Sequence, residues 1–298
     1  MKEKKISIVI LTYNSEKDIM DCLASVYRYN DIGEALEVIV VDNNSDDVLS
    51  IFREIRNKYP DVLLIKNSEN KGYGAGNNVG ICVASAPIIM IMNPDVRLSE
   101  PVFSKALRVF DDYSVVMYGM KQKLPNGKNS ASFAWTLLDN PLIAYLLGVR
   151  YCRPRDIYFQ NKMFISGACF FVRKCDFLQV GLFDESLFLY AEEDDIRIRL
   201  LALGNRRVIY DKTVSYVHFF DNREVTLRKL HRLFTSKCYL CKKNGMNILK
   251  PYRWEIQYYT LSVLMSLNKK EKDKYVIYKE WLKLLRNNSV ETILQMKF

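Results

Sequence analysis

The chain has 298 residues, 49% of them hydrophobic and 26% charged, with 12 Gly and 8 Pro; these values exclude a disordered tract, a collagen-like repeat and a small disulfide-stapled scaffold. The formal charge is +10, yet residues 223–298 hold 17 Lys/Arg against 6 Asp/Glu, whereas the 222 residues before them hold 27 against 28. Basicity therefore belongs to the C-terminal part, where it suits a solvated helical face or a polyanionic partner.

Residues 5–11 are a continuous, largely β-branched run, the pattern of a strand buried on both faces. Residues 18–29 follow at helical spacing, then 37–42 as a second strand ending in an acid and 48–59 as a second helix. Residues 62–65 read as strand, 74–85 as helix and 87–92 as strand. Such alternation with short links predicts an α/β fold with a Rossmann-like, mainly parallel sheet flanked by helices. Beyond Pro101 the pattern loosens. Residues 101–110 read as helix, 114–119 as strand, and 121–160 as an irregular stretch of the kind that forms a functional loop or insertion. Residues 163–173 read as a strand pair, 191–203 as a helix closed by Gly204, and 206–210 and 213–218 as short strands. From Glu224 onward apolar residues recur at helical spacing: Leu227, Leu230 and Phe234, then Trp254, Tyr258, Leu261 and Met265, then Val276, Trp281 and Leu285. This predicts a domain over 1–222 and a basic, aromatic helical subdomain over 223–298. Seven Cys at irregular spacing suit a reducing compartment, and Cys238 and Cys241 read as core packing. The sequence shows neither a leader peptide nor an apolar stretch of membrane-spanning length, so a cytoplasmic location is expected.

In an open parallel sheet, ligands bind at the carboxyl edge of the strands. Four successive edges carry hydrogen-bonding residues: Thr12-Tyr13-Asn14, Asp42-Asn43-Asn44-Ser45, the run from Asn70 through Gly72 to Asn77 and Asn78, and Asn93-Pro94-Asp95. Each alone is ordinary turn chemistry; together they converge on one crevice. Gly72-x-Gly74 starts like a dinucleotide fingerprint, but Asn77 replaces its third glycine and the run follows the third strand. The small residues here let backbone approach a ligand closely. Asp95 offers a carboxylate suited to a hard divalent cation that bridges phosphates, or else is a solvated loop acid. The run Glu192-Glu193-Asp194-Asp195 opens a helix, where the dipole offsets some of the repulsion. Asp195 and Arg199 can pair four apart, leaving Glu192 or Glu193 to face a cleft with the raised pKa a general base needs. His218 ends a strand, as a structural residue or a metal ligand.

Taken in order, these motifs, together with Gly167-Ala-Cys-Phe-Phe-Val-Arg173 and Gly181-Leu-Phe-Asp-Glu185, resemble the family 2 inverting glycosyltransferases of GT-A fold. Within them the chain is similar to the rhamnosyltransferase-like branch that builds bacterial surface polysaccharides, over about residues 4–222. The resemblance implies a sugar transferred from a nucleoside diphosphate sugar to a saccharide acceptor, lipid-linked, at the inner face of the cell membrane. It implies that Thr12, Tyr13, Asn14 and Asp42 hold the base and ribose, and that Asn70, Gly72, Asn77 and Asn93 shape the donor wall. Asp95 and His218 would hold Mg²⁺ or Mn²⁺. Glu193 would be the base, with Asp194 as the other candidate, and Gly167, Glu192, Asp194, Asp195 and Arg199 would support it on the acceptor side. The basic tail with Tyr252, Trp254, Tyr258 and Tyr259 would meet an anionic membrane surface. Two other readings stand beside this one. A sugar-nucleotide pyrophosphorylase would want an Arg/Lys-bearing glycine loop where Thr12-Tyr13-Asn14 stands, and a non-enzymatic nucleic-acid binder would want a recognition motif the tail lacks.

Overall fold

The computed structural model describes residues 3–219, 225–266 and 272–298. In chain order the first elements are β1 (Ile6–Thr12), α1 (Glu16–Arg28), β2 (Leu36–Asp42), α2 (Val48–Lys58), β3 (Leu63–Lys66), α3 (Tyr73–Val83) and β4 (Ile88–Met92). They continue with β5 (Val96–Leu98), α4 (Phe103–Phe110), β6 (Val115–Lys123), β7 (Phe133–Trp135), α5 (Pro141–Ile143) running into a wider π-helical segment, Ala144–Cys152, then β8 (Met163–Ile165), β9 (Cys169–Arg173) and α6 (Lys174–Gln179). The last are α7 (Glu192–Leu201), β10 (Arg207–His218), α8 (Leu227–Lys243), α9 (Leu249–Ser266), α10 (Lys272–Asn287) and α11 (Val290–Gln295).

Among the described residues the main sheet has eight strands in the order β3-β2-β1-β4-β9-β6-β10-β5. β1 pairs in parallel with β2 and β4, β2 with β3, and β6 with β10, while β9 and β5 run against their neighbours. This is the mainly parallel, helix-flanked sheet expected. Alternation along β1 explains the two layers. Ile6, Ile8 and Ile10 enter one core with Ile19 and Leu23 of α1, Ile55 of α2 and Phe103 of α4. Val9 enters the other with Ile81 of α3, Phe177 of α6, and Ile196 and Leu200 of α7. Fully burying such a side chain stabilises by about 1.5–3 kcal/mol, which is why the register Thr12↔Asp42 and Met92↔Cys169 is fixed.

Three expectations change. Residues 163–173 are not a strand pair: β8 joins β7 in a separate two-stranded sheet, and β9 inserts between β4 and β6. The two short strands expected over 206–218 are one strand, β10, irregular between Asp211 and Ser215. Within 121–160, β6 extends to Lys123 and residues 141–152 are helical, not irregular.

The chain divides into two compact units: Met1–Ala134, Tyr158–Phe188 and Glu192–Phe220 form one, and Trp135–Ile157, Leu189–Ala191 and Asp221–Phe298 the other. The expected boundary at residue 222 lies outside the described residues, and the second unit also takes in 135–157. Its core joins Leu230, Phe234 and Cys238 of α8 to Tyr259 of α9, Trp281 of α10 and Ile293 of α11. Cys241 is buried as expected, whereas Leu261, Met265 and Val276, three of the apolar residues at helical spacing, are exposed. Among the described residues no helix is long and apolar enough to cross a membrane.

Candidate active site

The parallel strands bring their carboxyl ends to one edge of the sheet, and the polar loops named above leave from it. Thr12 Oγ1 donates to Asp42 Oδ2 at 3.0 Å, and Ser45 gives Asp42 its N–H (2.8 Å) and its hydroxyl (2.5 Å). Asp42 is 1% exposed and ties the first two loops together, while Tyr13 beside it is 52% exposed. Asn14, at φ 48°, donates its N–H to Ser45 Oγ and exchanges hydrogen bonds with Asp46. Asn43 carries the bracing onward: its amide donates to Asn70 Oδ1 at 2.8 Å and to the Gly72 carbonyl at 3.1 Å, and it accepts from Asn67. Asn70 Oδ1 also accepts from the Gly72 N–H. A shallow groove of about 190 Å³ beside this loop is lined by Asn67, Ser68, Glu69, Lys71 and Glu185, and by neither Asp95 nor Glu193.

The glycines have a packing role that the sequence does not reveal. Gly72 has φ 98°, and a Cβ there would meet the Phe188 carbonyl oxygen at 2.2 Å; on Gly80 it would meet Val9 Cγ1 at 2.5 Å. They let α3 press on the sheet and on the 183–188 segment. Asn77 is buried inside α3, donating to the Tyr73 carbonyl at 2.9 Å. Both Asn77 and Gly72 thus shape the loop from within.

At the end of β4, the Asn93 N–H donates to the Ala168 carbonyl (2.8 Å), and Arg97 Nη1 holds the Pro94 carbonyl (2.7 Å). β5 then pairs with β10 so that Val96 faces His218, which brings His218 Nε2 to 3.1 Å from Asp95 Oδ1. Both side chains are largely buried. The pair is a hydrogen bond as it stands, and the separation also suits adjacent ligands of an octahedral ion with bonds of about 2.1 Å. The carboxylate oxygen suits Mg²⁺ or Mn²⁺, whereas an imidazole nitrogen is the more usual ligand of Zn²⁺, Fe or Ni. Among the described residues searched, no three His, Cys, Asp or Glu side chains gather to hold a metal; protein donors here number two.

The four acids of α7 separate by partner. Asp194 makes a two-point contact with Arg197 (2.7 and 3.1 Å), which also holds the Gln160 carbonyl. Asp195 is bound by Arg199 at 2.5 Å, as the spacing predicts. Burial, with Glu193 next to it, pushes the Glu192 carboxyl far above the usual range, and its Oε1 has no hydrogen-bond partner. Burial raises Glu193 to about 6, with the Asp194 charge adding and the Gly167 backbone N–H opposing. A Cβ on Gly167 would lie 1.9 Å from Glu193 Oε1, so any larger residue there would displace the Glu193 carboxyl. The Tyr73 hydroxyl donates to the Gly167 carbonyl at 2.7 Å. Burial, with Glu193 and Glu192 nearby, raises that phenol well above its ordinary value. Tyr190 and Ala191, just before α7, take φ 74° and 81°, strained values that cost about 1–3 kcal/mol each and mark functional turns.

A sequence model of glycosyl transferase family 2 matches residues 7–180, more than half of the chain. The chain belongs to glycosyl transferase family 2. This family 2 glycosyltransferase is 25% identical over 277 residues to the low-salt glycan biosynthesis hexosyltransferase Agl10 of Haloferax volcanii, covering 88% of this chain and 82% of that one. It is 22% identical over 233 residues to the rhamnosyltransferase WbbL of Escherichia coli, covering 73% and 85%. Its fold is shared with the mannosyltransferase PcManGT of Pyrobaculum calidifontis, solved with GDP-Man and Mn²⁺, at a TM-score of 0.63 and 15% identity over 96% of this chain and 85% of that one. Family membership decides for a glycosyltransferase over the pyrophosphorylase and the nucleic-acid binder.

Within the first compact unit of this glycosyltransferase, β4, β9, β10 and α7 gather Asp95, His218, Gly167 and Glu193 around one end of the sheet. Sequence reasoning did not single out Arg197, whose spacing from Asp194 was the available signal, nor Asn43 and Tyr73 as bracing residues, both of which stood inside quoted motifs.

Proposed function

We propose that the protein transfers a sugar from a nucleoside diphosphate donor to a saccharide hydroxyl with inversion, Glu193 acting as general base. The observation that carries this is the partition of the acidic helix. Asp194 and Asp195 are held by arginines, which leaves Glu193, raised to about 6 against Gly167, as the acid poised to take a proton near neutral pH. The acceptor oxygen forms a bond to the anomeric carbon, the bond from that carbon to the diphosphate oxygen breaks, and the acceptor proton passes to Glu193. Tyr13 and Asn14, with Asn70 and Asn93, would contact the donor, while Thr12 and Asp42 keep their loops in place. Asp95 and His218 would hold a divalent cation, which when bound stabilises negative charge on the departing diphosphate. We assign the acceptor to a lipid-linked saccharide at the cytoplasmic membrane surface, because the positive excess of residues 223–298 suits anionic lipid, and the biosynthetic role to surface glycan assembly.

Glu193→Gln is expected to bind the donor as the parent does and to lose about 10²–10⁴-fold in transfer. The measurement is nucleoside diphosphate release alongside donor titration; undiminished release would place the base elsewhere. Asp95→Asn is expected to raise the metal concentration needed for half-maximal activity.

A further inference from the structure

The helical segment 141–152 turns apolar side chains outward. Leu146 is 60% exposed and Leu147 47%, with Ile143, Val149 and Tyr151 also exposed, while Gly148 and Cys152 face inward. Gly148 packs on Trp135, so the outward side is fixed by the inward one. No acid occurs from residue 140 to 155, and Arg150, Arg153 and Arg155 close the segment. The Arg155 guanidinium lies 4.4 Å from the Tyr151 ring centre. Within the same compact unit, α5 packs on α9, with Tyr145 near enough to Tyr258 to affect it electrostatically. Past Tyr258, α9 exposes Leu261, Leu264 and Met265. Two helices that meet thus both present large apolar side chains to water, and such clustering on a soluble surface marks a contact site.

We propose that this face docks the protein on an anionic lipid bilayer, Leu146 and Leu147 entering the acyl boundary and Arg150 and Arg155 meeting headgroup phosphates. Apolar residues beside a basic rim, with an aromatic at the border, are what an interfacial helix needs. A second copy of the chain fits less well, since a two-fold contact sets the same arginines against each other. The purpose of the docking rests on the lipid-linked acceptor proposed above, and it places the insertion in 141–151 and α9 and not in the basic tail alone.

Flotation of the full chain with phosphatidylcholine vesicles, with and without phosphatidylglycerol, tests it. The wild type floats with the anionic vesicles. Leu146→Asp/Leu147→Asp is expected to lose about tenfold or more in partitioning while melting as the wild type does, since both side chains are exposed. Arg150→Ser/Arg155→Ser is expected to bind more weakly and to lose its preference for phosphatidylglycerol. A wild type that fails to float, or a Leu146→Asp/Leu147→Asp chain that floats as well as the wild type, overturns the proposal. So does a dimer, seen by light scattering, that this variant abolishes. Glu193→Gln is expected to float as the wild type does, and a wild type that floats without releasing nucleoside diphosphate removes the catalytic reading and leaves the docking face standing.

Discussion

The loops after β1–β3 and the start of α7 use the same polar residue types to opposite ends. In the loops, Asp42, Asn43 and Asn70 spend their hydrogen bonds on one another and on backbone, which makes a stiff frame. At α7, Glu192 and Glu193 are buried without a cation of their own, and their carboxyls are pushed up. Satisfied groups hold shape, and under-satisfied ones hold reactivity.

The sharpest way to break this contrast is Gly167→Ala. The new β-carbon displaces the Glu193 carboxyl, and a shift on the order of 1 Å in a reacting group costs about 10²-fold in kcat, with donor affinity unchanged. Weakened donor binding at unchanged kcat would place Gly167 in the frame instead. Asp42→Ala strikes the opposite region. It strips Thr12 and Ser45 of their buried acceptor and is expected to cost about 2–4 kcal/mol in urea unfolding and to weaken donor binding, with kcat at saturating donor preserved.

Smaller effects follow from titration. A base must be ionised, so kcat is expected to fall about tenfold per pH unit below about 6 and to level off above it. Stability runs the other way. The folded chain holds the Glu193 proton more tightly than the unfolded chain, so this residue costs nothing below about 4.5 and its cost is complete once pH has risen through about 6. Glu193→Gln should therefore melt above the wild type at pH 8 and level with it at pH 4, a scanning-calorimetry measurement. The smallest change is expected from Glu192→Gln. Burial and its neighbour push its carboxyl well above the usual range, which makes it a poorer proton acceptor near neutral pH than an ionised Glu193, so transfer should stay within about twofold; a large loss would make the two glutamates a shared proton site.

Much of the frame was legible because its signals are local. Ile6, Ile8 and Ile10 against Val9 announce a strand covered on both sides, and Asp195 with Arg199 follows from helical spacing. The insertion of β9 between β4 and β6 was not legible, because antiparallel pairing across some eighty residues leaves no periodic trace. The packing of Gly72 and Gly80 was hidden for a related reason: a close approach to Phe188 or Val9 looks, in one dimension, like a close approach to anything. The outward leucines of 141–152 escaped notice because π-helical winding shifts their spacing away from 3.6.

The Tyr73 N–H bonds the Phe188 carbonyl at 3.0 Å, and Gly72 lies flush against the same residue. The 70–77 loop and the segment that leads into α7 are thus mechanically geared. Engineers who graft a foreign 70–77 loop would have to transplant 183–188 with it, and natural divergence in this enzyme is expected to alter the two stretches in concert.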